Sequence, residues 1–208
     1  MSGGVHYTRR MWFADALLFV LAALIAVAVL IWGIVIFNRL VRARNLVRAG
    51  FADIDVQLQK RHDLVPQLVE AVRAYAGYEQ TVLEDVTRLR GEARQQAGHA
   101  DDVAGRDAAE QALAGGLGRL ILLAEAYPDL KAGDNFRQLV TELTEVEDDI
   151  EQARRFYNGA VRQLNDRVQH VPDRFIAGPF GFREEAFFSA DIETRRAPDV
   201  GAALGRSA

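Results

Sequence analysis

Residues 16–37, ALLFVLAALIAVAVLIWGIVIF, form a run of 22 positions with no charge and no proline. A helix of that length rises about 33 Å, enough to cross a hydrocarbon core of about 30 Å. No face of the run is polar, and a helix apolar all round belongs in lipid or deep inside a large protein. A cleaved signal peptide is the rival reading. Its apolar region would span about 7–15 residues and end at a small-residue cleavage site. This run is longer and closes on Trp32, Phe37 and Asn38. The pattern predicts an uncleaved transmembrane helix over 16–37 behind a short tail, 1–15.

Beyond the run the period changes. Alternate steps of four and three from Val47 give Phe51, Ile54, Leu58, Arg61, Val65, Leu68, Val72, Tyr75, Glu79, Val82, Val86 and Leu89. All but Arg61 and Glu79 are apolar or aromatic, the signature of a helix packed along its length. Pro66 lies inside this seam, so the helix either kinks there or restarts. Residues 95–105 read as a loop. A third helix is expected from about Asp107 to Tyr127, with Leu113, Leu117, Leu120, Ala124 and Tyr127 as its seam. Gly115, Gly116 and Gly118 weaken it unless close packing needs them. Pro128 is expected to stop it, with a turn over 127–133. The fourth segment is the most regular: Phe136, Leu139, Leu143, Val146, Ile150, Ala153, Tyr157, Ala160 and Leu164, with Asp134 or Asn135 to cap it and Pro172 to end it.

After Pro172 the aromatics crowd together at Phe175, Phe180, Phe182, Phe187 and Phe188, with Ile176 among them. Gly178-Pro179 and Gly181 forbid a regular helix there. Two states are expected for this stretch: an extended strap filling grooves on the bundle, or an exposed strip that docks a partner. Disorder is expected over 189–208. The predicted fold is all-α. An N-terminal transmembrane helix precedes an antiparallel bundle of three to four long helices with coiled-coil-like heptad packing, over 38–188. No stretch has convincing strand alternation.

Charge adds orientation. Arg9 and Arg10 precede the span, and Arg39, Arg42, Arg44 and Arg48 follow it. Cytoplasmic flanks carry the Lys/Arg excess, so the large C-terminal domain is expected in the cytoplasm. Trp12 and Trp32 suit the membrane interface, and the four following arginines read as a headgroup collar. Arg9-Arg10 before Met11 also has a twin-arginine look. Residues 51–208 carry 19 Lys and Arg against 28 Asp and Glu, which argues against nucleic acid as a partner. With no cysteine, disulfides and thiol chemistry are excluded.

Candidate chemistry is sparse. No phosphate-binding glycine loop, HExxH, GxSxG or CxxC occurs. His6, His62, His99 and His170 are scattered, and His62 adjoins Lys60 and Arg61. Carboxylate-bridged metal sites in bundles pair Glu with Glu-x-x-His. The acidic run Glu142, Glu145, Glu147, Asp148, Asp149 and Glu151 has no His at that spacing and flanks the apolar seam, so a solvated face is expected. No metal, cofactor or catalytic residue is assigned. Arg61 breaks the long seam. It either snorkels to water or makes a cross-helix ion pair with an acid of that run, fixing register.

Several blocks in one order carry a resemblance. They are Arg44-Asn45-Leu46-Val47, Ile54-Asp55-Val56-Gln57-Leu58, residues 61–70 (RHDLVPQLVE) and residues 127–132 (YPDLKA). With them go Asn135-Phe136, Leu143-Thr144-Glu145-Val146-Glu147, residues 153–158 (ARRFYN) and residues 177–182 (AGPFGF). Together they resemble a LemA family protein over roughly 37–188. Gly50-Phe51 departs from the family's frequent Ala-Trp, and Gly77-Tyr78-Glu79 replaces a more polar pattern. The resemblance implies a bacterial single-pass inner-membrane protein with a helical-bundle domain, and it brings no catalytic site. The expected function is a non-catalytic interaction or scaffold module, integral to the bilayer, with an unidentified protein partner. The alternatives are an accessory of a membrane protease or signalling system, and a ligand- or metal-binding enzyme in the bundle core.

Overall fold

The computed structural model describes residues 4–75, 79–97 and 102–188, with side chains from residue 16 onward. Trp12's side chain and the tail over 189–208 lie outside the described residues. The described residues are all-helical, with no strand. The helices are α1 (Gly4–Arg73), α2 (Gln80–Ala97), α3 (Val103–Ala124), α4 (Pro128–Ala132), α5 (Asp134–Gln169) and α6 (Arg174–Ala177). Pro66 lies inside α1, which stays helical on both sides of it.

Three expectations change. The seam drawn from Val47 to Leu89 is not one helix. Ala74 and Tyr75 turn at the end of α1, with the Tyr75 N–H donating to Val72 O at 3.0 Å, and Tyr75 and Glu79 are exposed. Apolar spacing registers burial, and two helices that bury their faces in turn can continue one count. The third helix starts four residues earlier than Asp107, because the Asp102 carboxylate accepts from the Gly105 N–H as its N-cap. Pro128 does not simply stop a helix. It opens α4 from the first position, where its missing N–H costs nothing.

The chain divides into two compact units. One comprises Met1–Asn45 and Arg162–Glu184, the other Leu46–Val161 and Glu185–Ala208.

In the first unit, α1 is long and apolar enough to cross a membrane, and its side chains from Leu17 to Val35 are largely exposed. Farther along, Ile36 and Leu40 bury against Ala177 and Phe182, with Phe37, Val41, Val168 and Ile176 around them. Phe37 meets Phe180 and Phe182 edge-on, at centroid distances of 5.1 and 5.8 Å. The return from α6 needs Gly181, whose φ of 71° lies in the left-handed region. That turn lets the Phe182 N–H donate to Ala177 O at 3.0 Å.

In the second unit the core is aliphatic. Ile54, Leu58, Val65, Leu68 and Val72 of α1 are buried, as are Leu113, Leu117 and Leu120 of α3 and Leu139, Leu143 and Ile150 of α5. α2 packs on α3 at Gly116, where an added Cβ would stand 2.8 Å from Leu89 Cδ1. Gly115 and Gly118 face open space. Close packing therefore accounts for one of the three glycines. Gly50 of α1 faces Tyr157 of α5 so closely that a Cβ would come 3.0 Å from the Tyr157 Cα.

Candidate functional site

The polar centre of the second unit is a set of charges inside this core. The apolar seam of α3, stepped backwards from Leu113, passes through Glu110 and Arg106 to Val103, so two charged residues occupy core-facing positions. Asp107 lies beside them, and all three are buried. Across from them α1 buries Arg61 and His62. The third side comes from α5, where Glu147 and Arg154 flank the seam residues Val146 and Ala153.

Arg61 is the hub. Its Nη2 donates to the Glu110 carboxylate and, at 3.3 Å, to the Glu110 carbonyl. Its Nη1 donates to both oxygens of Glu147, at 2.9 and 3.0 Å. One guanidinium thus ties three helices, using the planar fork that makes Arg suited to carboxylates. His62 Nε2 stands 3.1 Å from Glu110 Oε1, and Arg90 Nε donates to the His62 carbonyl at 2.6 Å. Arg106 pairs with Asp55, and Arg154 Nη2 lies 3.0 Å from Asp107 Oδ1.

Aromatic rings border the two outer arginines. The Arg106 guanidinium lies 5.0 Å from the Phe51 ring centre and that of Arg154 5.5 Å from Phe188. Phe51, Tyr157 and Phe188 contact one another. Asn158 holds the Phe188 backbone from both sides: Nδ2 donates to its carbonyl and Oδ1 accepts from its N–H, each at 3.0 Å.

Burial pushes the Glu110 carboxyl up, but the His62 imidazole and the Arg61 charge outweigh it and hold Glu110 below the ordinary glutamate range. Burial lowers Arg154 against the opposing pull of Asp107. The Tyr157 hydroxyl, donating to Ala186 O at 2.8 Å, is pushed up to about 12 by burial and then by the Glu185 charge.

The residues singled out in the sequence separate. Arg61 lies at the hub. Glu147 is not part of a wholly solvated face, because Arg61 draws its carboxylate in; Glu145, Asp148, Asp149 and Glu151 are exposed. Phe182 is buried in the first unit and Phe188 in the second, while Phe175, Phe180 and Phe187 are exposed. Trp32, Arg39, Arg42 and Arg48 are exposed. Arg44 is half-buried, 4.7 Å from the Phe182 ring centre. Sequence reasoning missed Glu110, Arg106 and Asp107. Extending the α3 seam two steps toward the N-terminus would have found the first two.

A sequence profile described as the LemA family matches residues 50–201. The chain belongs to the LemA family. Two curated relatives of this LemA chain, "Magnetosome protein MamQ 1" and "Magnetosome protein MamQ 2" of Paramagnetospirillum magneticum, are each 25% identical over 193 residues. Each match covers 82% of this chain and 71% of the relative. "Magnetosome protein MamQ" of Magnetospirillum gryphiswaldense is 23% identical over 174 residues, covering 73% of this chain and 64% of the relative.

Proposed function

We propose that this LemA protein is a membrane-anchored, non-catalytic interaction and scaffold module. It comprises a tail over 1–15, a transmembrane helix over 16–37, a helical-bundle domain over 38–188 and a C-terminal tail over 189–208. The domain lies in the cytoplasm, and Trp12, Trp32, Arg39, Arg42, Arg44 and Arg48 sit at the two membrane faces. We read its long helices as an antiparallel bundle with heptad-type packing. Cross-contacts support that reading. Gly50 and Phe51 meet Tyr157 while Arg61 meets Glu147, so numbering rises on α1 as it falls on α5. Asp55–Arg106 and Arg61–Glu110 rise together. Leu89 faces Gly116 while Asp85 pairs with Arg119, so α2 and α3 oppose. An up-down-up-down order of α1, α2, α3 and α5 fits all of these.

One observation carries the non-catalytic reading: Arg61 and Glu110 are 2% and 0% exposed and pair with each other. A general acid or base must reach a substrate from a cleft wall. Charges enclosed in this way set the register of helices instead. The magnetosome in the relatives' names belongs to those proteins, and identity of a quarter carries kinship to this chain without that role. An accessory of a membrane protease or signalling system would use the same module, and the partner's identity separates the two. A photoreactive residue placed at Phe156 or Leu122, both exposed apolar positions, is the test. Irradiation of native membranes should give one dominant product from at least one of these sites and none from exposed Glu145. A diffuse ladder from all three positions defeats the scaffold reading.

A further inference from the structure

We propose that residues 171–180 make a second, monotopic contact with the bilayer, with Val171, Phe175 and Phe180 dipping into the headgroup–acyl boundary. The proposal rests on the reading that residues 16–37 cross the membrane, and it concerns the first unit alone. Its starting point is depth. Ile176 Cδ1 stands 3.6 Å from where a Cβ on Gly33 would be. Gly33 lies four positions inside the apolar run, about 6 Å along the helix from its end at Phe37. Phe180 packs on Phe37 and Phe182 lies under Arg44. The stretch from Ile176 to Phe182 therefore lies along α1 from inside the apolar run out to the arginine collar.

Exposure supplies the second observation. Ile176, Ala177 and Phe182 turn toward α1, yet Val171, Phe175 and Phe180 remain 67%, 73% and 62% exposed. Three large apolar side chains at the level where a span leaves the membrane have lipid beside them rather than water. Their expected immersion of about 5–10 Å matches the depth set by Ile176. Charge is the third. On the side of the span that holds these residues, positions 38–45 and 162–184 carry seven arginines and three carboxylates, a net of +4, in a chain whose total is −4. Arg39 and Arg42, in the turns of α1 that follow Phe37, and Arg174, next to Phe175, are exposed, the pairing of basic collar and apolar tip that favours an anionic lipid surface. A protein partner would need its apolar docking surface at membrane level, so the bilayer is the occupant we commit to.

The full chain, reconstituted in phosphatidylcholine–phosphatidylglycerol vesicles with brominated acyl chains, tests this by tryptophan quenching. Trp12→Phe leaves Trp32 as the sole native probe and reports whether the span is in lipid. Trp12→Phe/Trp32→Phe/Phe175→Trp reports on the proposed contact, at a position so exposed that the larger ring needs no repacking. The expected result is quenching of the second probe by bromines near the headgroup end of the chain, about twofold stronger than by bromines near its terminus, with little quenching by aqueous acrylamide. A probe at 175 open to acrylamide and untouched by bromolipid overturns the proposal, while a quenched Trp32 shows that the anchor stands. Shielding from both quenchers also overturns it, in favour of a protein contact. Loss of quenching at Trp32 itself would instead defeat the anchor reading.

Discussion

Glu110 and Glu147 both pair with Arg61, yet they stand in different media. Glu110 is enclosed, so removing its carboxylate leaves His62 and one arm of the Arg61 guanidinium without their acid in the core. Breaking a buried pair from one side typically costs roughly 3–5 kcal/mol, and Glu110→Ala should fall there in chemical melts. Glu147 keeps 37% of its side-chain exposure, and screening by water reduces its share. Glu147→Ala should cost about 1 kcal/mol, more than the near-zero value expected of a solvated acid. Equal costs for the two would mean that burial does not separate the two carboxylates. Glu110 also sets a pH dependence. Its folded pKa lies below its unfolded value, so its stabilisation is complete above the unfolded value of about 4.3 and is lost as pH falls through the folded one. Urea melts from pH 7 down to 3 should therefore lose stability less steeply in Glu110→Gln than in the parent. Arg61 was legible in the sequence because it interrupts an apolar seam. Glu110 was hidden because the seam of α3 turns from apolar to charged in its N-terminal half, where an apolar count ends.

At the scale of elements, small residues decide how closely helices approach. Gly50 lets α1 approach the α5 backbone at Tyr157, and a backbone atom cannot turn aside as a side chain does. Gly50→Ala should destabilise by roughly 1–3 kcal/mol through overpacking. Gly118, on an open face of α3, has nothing within 4 Å of its added Cβ. Gly118→Ala should stabilise by about 1 kcal/mol through helix propensity alone. Thermal melts that shift the same way for both would contradict these contacts. Core positions such as Leu143 should behave ordinarily, with Leu143→Ala costing about 2–5 kcal/mol. The apolar period placed α5 and the middle of α3 well, because period 3.6 is written in large side chains. It missed the end of α1 at Arg73, since Tyr75 and Glu79 kept the count going beyond it. Backbone caps such as Asp102, and proline at a first helical position, carry too little pattern to compete with a hydrophobic stripe.

At the scale of the whole molecule, the arginines bear on which side of a membrane holds the acidic part. Four arginines after the apolar run against two before it favour the cytoplasm. A reporter fused at the C-terminus should be active as a cytoplasmic fusion and silent as a periplasmic one. Strong periplasmic activity would reverse the orientation and revive the twin-arginine reading of Arg9-Arg10. The sequence carried the long apolar helix plainly, because 22 uncharged residues without a proline leave no other regular pattern. It did not carry the exposure of Phe175 and Phe180, because a buried strap and an exposed strip share one composition and differ only in what lies opposite.

The hub has a consequence for the order of events at the ribosome. Arg61 and Glu147 are 86 residues apart in sequence. At about 5–20 residues per second, roughly 4–17 s separate their synthesis. By then the apolar run has left the exit tunnel, well before the core has its last charged helix. The newborn domain must wait with Arg61 holding Glu110 alone, the other arm of its guanidinium still without Glu147. Nascent chains arrested before Glu147 should accordingly remain open to protease, and release of the full length should close them in a single late step.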